Sequence, residues 1–561
     1  MRVPRIRQGI LLPELVAILL LAVLAFSTRL MPLHISPYPF NNDSLTDTVL
    51  ADGIMSNGHL AHIVDIGTSS THSTAIPALD VLLAFVASSL GTTPVICSQA
   101  LIAVVSLVTI VGVYIVGRRL TGDPTGGLVS GIAAALFGTF VFSTGSVWKE
   151  SLGIGLLVLA VFSFVSRNDR RYWMLCFVLL MLMPLVHHLV FAIVLLIFSF
   201  PVIWSWIFAL SHGSLRKRHY RDAVLVAIPL VWSILYYSYV SLDRLAILGS
   251  AIRVGLIVSA FVLLCLVQAA LLLQRRHYPY TLAPIPGIGL VLLVLLDYSG
   301  YIFPYASSAI PFYLLLAVAF GFVLSLAWYG LEIAIEEGSA YRAVQLAMLL
   351  SPLAVVGFGL TSGLTRESHQ IFYRSFDFVD FFLFFGAGTA IVALRRKKRR
   401  RSYFTLGTLF VASLLISFPF AYESEPLLGV RHDTQEYEVD ALSWIVDTSG
   451  NSSTLRIQSD ERISHIAMSL FGIGKENNLP SELRLNLSLP PNIMFVLEHS
   501  WTTTGVNDYP RGEVVLAPEY VRLLLSVEDV MYVGGDHSDQ LVIFTATSIG
   551  QTANDWYPSP S

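Results

Sequence analysis

Long apolar runs separated by short polar segments fill the chain as far as residue 421. The runs recur from Ile10 to Ala421, and many approach the roughly 20 residues that a helix needs to cross a bilayer. Arginine and lysine cluster between them, at residues 2–7, 118–119, 167–171, 216–221, 275–276 and 395–401. Because basic residues of short loops stay on the cytoplasmic side, these clusters set the direction of each helix. The pattern predicts a polytopic α-helical protein of the cell membrane with a cytoplasmic N-terminus.

Placing every basic cluster on the cytoplasmic side predicts thirteen crossings. The first, over residues 10–28, lacks a small-residue cleavage site and is interpreted as an uncleaved span. A hairpin over residues 172–210 supplies two more crossings, with Pro184 and His187-His188 near its outer tip. The other spans are predicted at residues 95–117, 126–146, 150–166, 222–240, 252–273, 283–298, 310–330, 342–361, 376–394 and 403–421.

One apolar run does not fit a crossing. Residues 76–90 are too few to span a bilayer and contain Asp80. We therefore predict an interfacial or re-entrant helix there, inside a first outer loop of residues 29–94.

The last 140 residues differ in composition from the rest. From Tyr422 onward there are 20 acidic and 7 basic residues, a net charge of −13, against +10 for the remainder. The segment 436–446 is amphipathic, with Tyr437, Ala441, Trp444 and Ile445 on one face. Further helices are predicted at 461–471 and 516–527, and strands at 454–458, 493–498, 513–516, 530–533 and 541–545. The pattern predicts a transmembrane domain over 1–421 and a small extracytoplasmic α/β domain over 422–561.

Overall composition supports the membrane assignment. Of 561 residues, 55% are hydrophobic and only 13% are charged, whereas about a quarter of a soluble domain is charged. The three cysteines all lie in apolar runs, so no disulfide framework is indicated. The sequence contains no Walker pattern, Gly-rich strand-to-helix turn or Cys/His zinc spacing. Nucleic acid is therefore not an expected partner, whereas membrane lipids are.

Unusual polar residues collect on the predicted outer side. Asp43 can cap a helix that carries Asp47 one turn later and ends at Asn57-Gly58. Like charges at this spacing repel, so either a cationic or protonic ligand compensates them, or they form an N-cap and a solvated turn. In the second outer loop, Lys149-Glu150 either lies at the membrane interface or places both charges in a shared cavity.

Histidines and arginines on the same side are further candidates. His187 and His188 point in different directions, so at most one is expected to line a site, and a packing role is equally open. Arg366 and Arg374 lie on the side where positive charge is disfavoured. Their planar donors suit a phosphate, although pairing with nearby acidic residues or lipids is the alternative.

The chain resembles the GT-C superfamily of membrane glycosyltransferases, in its archaeal oligosaccharyltransferase-like or mannosyltransferase-like forms. The resemblance rests on the acidic first outer loop (Phe40–Asp47), the turn Arg118–Leu128, the charged loop at Lys149-Glu150, and "EYEVDALSWI" and "SDERI" in the tail. It implies about thirteen spans and an outer domain. The chain departs from oligosaccharyltransferases in lacking a WWDYG-type motif and in having Lys149-Glu150 where paired acids are expected.

The resemblance implies an enzyme that transfers a sugar from a polyprenyl-phosphate-linked donor to a glycan, lipid or protein acceptor on the outer face. Asp43, Asp47 and Glu150 are then the candidate catalytic carboxylates. The leaving phosphate and the acceptor would be bound by residues drawn from Lys149, His59, His187, His188, Arg366 and Arg374. If Mg²⁺ or Mn²⁺ takes part, Asp43 and Glu150 are its expected ligands. A transporter or flippase for lipid-linked glycans, or a degenerate scaffold, are the alternatives.

Overall fold

The structure is a computed structural model that describes residues 12–41, 43–59, 76–239, 283–298, 311–339, 341–361, 374–397, 400–422, 433–449, 455–476, 479–484, 493–503, 506–507, 513–527, 529–535 and 540–545. Within these ranges the chain forms a helical bundle as far as residue 422, followed by a small domain built on a five-stranded sheet. The predicted span 252–273 and Arg366 lie outside the described residues.

The helices of the bundle follow the apolar runs of the sequence. They are α1 (Leu12–Leu30), α2 (Asp43–Asn57), α3 (Ala78–Leu90), α4 (Pro94–Thr121), α5 (Pro124–Leu136), α6 (Gly138–Gly145), α7 (Lys149–Val165), α8 (Arg170–Val186), α9 (His188–Ser211), α10 (Lys217–Tyr239), α11 (Ile285–Tyr298), α12 (Pro311–Glu336), α13 (Arg342–Thr361), α14 (Val379–Arg396) and α15 (Arg400–Ser417). Short 3-10 turns follow α1 and α15.

The bundle identifies a multi-pass membrane protein. Six of the described helices are long and apolar enough to cross a membrane, or seven if the bent pair α5–α6 forms one span. The predicted total of thirteen spans is not confirmed. The short helix predicted over residues 76–90 is present as α3, whose 13 residues reach only about 20 Å at about 1.5 Å per residue. The predicted hairpin is formed by α8 and α9, with His187 between them.

The predicted span over residues 126–146 is not one straight helix. The helix stops at Leu136 and restarts at Gly138, and the two parts are bent by 68°. Phe137 between them is extended, with φ −72° and ψ 118°. The break leaves carbonyl groups of the last turn of α5 without partners in their own helix.

Arg29 at the end of α1 supplies the missing donors. Its side chain is fully buried, with Nη1 donating to the Ala135 carbonyl at 2.8 Å and Nη2 to the Ala134 carbonyl at 2.9 Å. Its Nε also donates to Thr144 Oγ1 in α6 at 3.1 Å. One guanidinium group therefore holds both halves of the bent pair.

Three of the basic clusters lie at one end of the bundle, which we call the basic end. Ion pairs there join Arg118 to Glu14, Arg395 to Asp123, and Arg167 to Asp222. Helices α4 and α7 run side by side in the same direction, because Gly112 faces Val158 while the earlier Thr109 faces Gly155. The starts of α2, α3, α7 and α14 lie at the opposite end, which we call the acidic end.

The C-terminal domain has the predicted α/β character. Its elements are α16 (Glu436–Ser449), β1 (Arg456–Gln458), α17 (Glu461–Phe471), β2 (Gly474–Glu476), α18 (Leu479–Arg484), β3 (Met494–Glu498), β4 (Val506–Asn507), β5 (Glu513–Val514), α19 (Pro518–Val527), β6 (Asp529–Gly534) and β7 (Leu541–Thr545). The main sheet has the order β2-β1-β3-β7-β6, parallel among the first three strands and antiparallel thereafter. The sequence patterns missed β2, β4 and α18.

Helix α2 lies between the bundle and the C-terminal domain. Leu45 belongs to the apolar cluster formed by α16, α17 and the sheet, and Thr46 Oγ1 lies 2.9 Å from Ser469 Oγ of α17. Ala51 instead packs against Leu79 and Ile102 of the bundle. Residues of both domains therefore meet along α2, beside the acidic end.

Candidate functional site

The start of α2 is fixed by an asparagine. Asn41 has a left-handed φ of 92°, and its Oδ1 accepts a hydrogen bond from the Asp43 N–H at 2.9 Å. Asp43 was predicted as the cap, but it is the first helical residue. The helix ends, as predicted, at Asn57, followed by Gly58 with φ +71°. This geometry leaves the Asp43 carboxylate available for tertiary contacts.

Lys149 forms a buried triad with two aspartates. Its Nζ lies 3.3 Å from Asp47 Oδ1 and 3.0 Å from Asp80 Oδ2, and all three side chains are at most 8% exposed. Burial raises the pKa of Asp47, against the opposing effect of the Lys149 ammonium. The triad joins α2, α3 and α7, so Asp47 and Lys149 both have protein partners.

A second group, which we call the open group, contains Asp43, Glu150, Arg374 and His465. Arg374 Nη2 lies 3.9 Å from Asp43 Oδ2, and His465 Nε2 lies 3.7 Å from Asp43 Oδ1. The Asp43 side chain remains 55% exposed. The Arg374 guanidinium also lies over the Trp148 ring, 5.3 Å from its centroid. The open group therefore contains residues of α2, of the rest of the bundle and of the C-terminal domain.

Glu150 is the unusual member of the open group. It is only 1% exposed, and neither carboxylate oxygen has a hydrogen-bond partner among the described residues. Arg374 is the basic residue that acts on it electrostatically. Glu150 occupies the first turn of α7, at the predicted start of the span over residues 150–166, and the helix dipole favours a negative charge there. A buried carboxylate with two unused acceptor atoms is suited to bind a hydrogen-bond donor.

The other predicted site residues have separate positions. His59 lies beyond the far end of α2 and is exposed, about 20 Å from Asp43 at the rise of an α-helix. His187 is buried close to Gly153 of α7, one turn after Glu150, and stacks on His188 with centroids 5.0 Å apart. His188 is exposed. The structure thus brings Arg374 to Asp43 and Glu150 but does not bring His59 to them.

Two residues of the acidic end were not predicted as site members. Asp80 was noticed only as a reason against a membrane crossing, although a carboxylate in an apolar helix signals a buried partner. His465 lies on the amphipathic helix α17, and no local pattern distinguishes it from a surface residue. Its contact with Asp43 depends on how the C-terminal domain docks.

The residues at the acidic end do not fit a divalent cation well. The described residues contain no group of three or more His, Cys, Asp or Glu side chains that could hold a metal ion. Asp47 and Asp80 already share the Lys149 ammonium. Asp43 and Glu150, the ligands expected from the sequence, both lie in the field of Arg374. The positive charge of Arg374 opposes the binding of a divalent cation by either carboxylate.

Comparison with solved structures identifies the fold. No family model matches the chain, and no curated protein matches it in sequence. The chain shares its fold with solved archaeal oligosaccharyltransferase structures. It is similar to the archaeal oligosaccharyltransferase AglB from Archaeoglobus fulgidus in complex with an inhibitory peptide and a dolichol-phosphate, with TM-score 0.55 and 12% identity over 96% of this chain and 74% of that one.

Two further solved structures were compared. An Archaeoglobus fulgidus oligosaccharyltransferase in complex with Zn and sulfate gives TM-score 0.52 and 12% identity over 94% of this chain and 73% of that one. ArnT from Cupriavidus metallidurans gives TM-score 0.38 and 10% identity over 94% of this chain and 97% of that one. At 12% identity the likeness to the two oligosaccharyltransferase structures establishes the fold alone.

Proposed function

We propose that this protein transfers a sugar from a polyprenyl-phosphate-linked donor to an acceptor hydroxyl or amide at the acidic end of the bundle. We assign this end to the extracytoplasmic side, because three of the arginine and lysine clusters lie at the other end. The GT-C fold supports the reaction class. The dolichol-phosphate in the similar archaeal structure supports a polyprenyl carrier.

The observation that carries the proposal is the environment of Glu150. A buried carboxylate without hydrogen bonds is costly, and such a cost is expected where a ligand completes the site. A cation lies beside it in Arg374, and solvent reaches the neighbouring Asp43. An acceptor N–H or O–H group and a phosphate fit this combination.

The reaction assigns one role to each side chain. Glu150 accepts the proton of the acceptor group as that group attacks the anomeric carbon of the donor sugar. The bond between the anomeric carbon and the phosphate oxygen breaks, and polyprenyl phosphate leaves with the bonding electron pair. Arg374 stabilises the negative charge that develops on the phosphate. Asp43, the base expected from the sequence, orients Arg374 and borders the acceptor.

The direct test uses the full-length protein in lipid nanodiscs with a panel of polyprenyl-phosphate sugars. Release of polyprenyl phosphate together with a glycosylated acceptor is the expected result. Folded protein that cleaves none of the donors would contradict the proposal. Donor that moves between leaflets of proteoliposomes without cleavage would identify a flippase instead.

A further inference from the structure

At the acidic end, a basic side chain lies beside each of two pairs of acidic residues. Lys149 lies between Asp47 and Asp80, and Arg374 acts on both Asp43 and Glu150. In many sites that stabilise anionic leaving groups, paired carboxylates hold a divalent cation. Here each pair has a covalently attached cation instead.

The triad has the dimensions of an occupied cation site. The ammonium nitrogen lies 3.0 Å from one carboxylate and 3.3 Å from the other, which leaves no space between them for a second cation. The remaining oxygen of the Asp80 carboxylate, Oδ1, is buried and has no hydrogen-bond partner among the described residues. The two carboxylates share the single positive charge of one ammonium group. Without that group, they are suited to bind a cation of higher charge.

We propose that Lys149 is a resident cation that replaces a divalent metal ion between Asp47 and Asp80, and that the protein is consequently independent of divalent metal. Removing its ammonium group converts the two aspartates into a site for Mg²⁺ or Mn²⁺. Metal independence leaves Arg374 as the cation that stabilises the leaving phosphate in the proposed reaction. The claim about Lys149 itself does not depend on that reaction, since it concerns metal binding by the protein alone.

The experiment measures Mn²⁺ binding and thermal unfolding of the full-length protein in detergent. For the wild type, we expect no saturable Mn²⁺ binding at millimolar concentration and the same melting temperature in EDTA, Mg²⁺ or Mn²⁺. For Lys149→Met, we expect a melting temperature several degrees lower in EDTA, and saturable recovery of at least half of this loss with Mn²⁺. The double variant Lys149→Met/Asp80→Asn should lose the recovery, because one of the two ligands is gone.

Lys217→Met is the matched control, since Lys217 is exposed at the start of α10. Its melting temperature should not respond to Mn²⁺. A folded Lys149→Met protein whose melting temperature is unchanged by Mn²⁺ would overturn the inference. If Lys149→Met does not fold, Mn²⁺ binding to the wild type is the deciding measurement. Saturable Mn²⁺ binding that Asp80→Asn abolishes would overturn the inference. The absence of saturable Mn²⁺ binding to the wild type supports the inference. Sugar transfer in EDTA tests the proposed reaction separately. If sugar transfer fails while the Mn²⁺-binding results are as expected, only the proposed function is contradicted.

Discussion

The triad and the open group use neighbouring residues of the same two helices for opposite purposes. Asp47 and Lys149 are buried and paired with each other. Asp43 is half exposed, and Glu150 is buried with no hydrogen-bond partner in the described part of the chain. The first set joins three helices around one shared ammonium group. The second set has unused capacity to bind a ligand. Similar residue types therefore acquire different roles through their partners, and a chemical role cannot be assigned from residue type alone.

The largest expected effect is that of Glu150→Gln. The amide preserves the shape of the side chain but cannot accept a proton, so we expect sugar transfer to fall by about 10²–10⁴-fold. The melting temperature should stay the same or rise, because a buried charge is removed. Asp52→Asn, at an exposed position of α2, should retain activity. Equal rates for Glu150→Gln and the wild type would show that the open group has no base at this position.

Substitutions in the triad should change the free energy of unfolding. Lys149→Met in metal-free buffer leaves two buried carboxylates without their cation, at a cost of about 3–5 kcal/mol in the free energy of unfolding. Replacing all three members in Asp47→Leu/Asp80→Leu/Lys149→Met should restore much of this loss, because no buried charge remains. Chemical denaturation monitored by tryptophan fluorescence measures both. A triple variant that is less stable than the single one would mean that the triad does more than satisfy its own charges.

Arg374→Gln tests the cation of the open group. Losing a donor that stabilises a leaving phosphate should lower kcat by about 10²–10³-fold, and Arg374→Lys should recover part of it because the charge returns without the planar donors. Steady-state assays of polyprenyl phosphate release provide the measurement. Arg522→Gln, at an exposed position of α19, serves as the control. A change in KM alone would assign Arg374 to donor binding only.

Asp460 is the N-cap of α17, the helix that contains His465. Burial raises the pKa of the Asp460 N-cap to about 6, so the folded protein binds a proton more tightly than the unfolded chain. Stability should therefore fall as pH rises from about 4 to about 6, by up to about 3 kcal/mol. Asp460→Asn keeps a capping side chain and should remove this part of the pH dependence. Parallel unfolding curves of the two proteins across this window would contradict the assignment.

The smallest effect is expected for His465→Asn. His465 lies 3.7 Å from Asp43 and helps to place a carboxylate that in turn orients Arg374, so a decrease of a few-fold in kcat is expected. His499→Asn is the control, since His499 is exposed in the same domain. An unchanged kcat would restrict His465 to a structural contact.

Hydropathy predicted most of the fold because apolar runs and amphipathic faces are local properties. The helix around Trp444 and the strands β3 and β7 were found in this way. The break at Phe137 was missed because it depends on Arg29, whose acceptors lie more than a hundred residues away. The total number of spans was not confirmed, since length and composition alone do not separate crossing helices from shorter ones.

Site residues were predictable from the sequence where a charged residue is unusual for its position in the chain. The sequence singled out Asp43, Glu150 and Arg374 as charged residues of the predicted outer side, and all three belong to the open group. The division between the triad and the open group could not be predicted, because Asp43 and Asp47 are chemically identical and differ only in burial. His465 could not be found either, since 422 positions separate it from Asp43.

The buried Arg29 has a consequence for biosynthesis. The side chain emerges from the ribosome with the first helix, but its acceptors at Ala134, Ala135 and Thr144 are made 105 or more residues later. The newly inserted first helix must therefore keep a charged group hydrated at the membrane surface until the bent pair has been synthesised and has docked. Completion of residue 144 is thus the earliest moment at which the N-terminal part of this protein can reach its final packing.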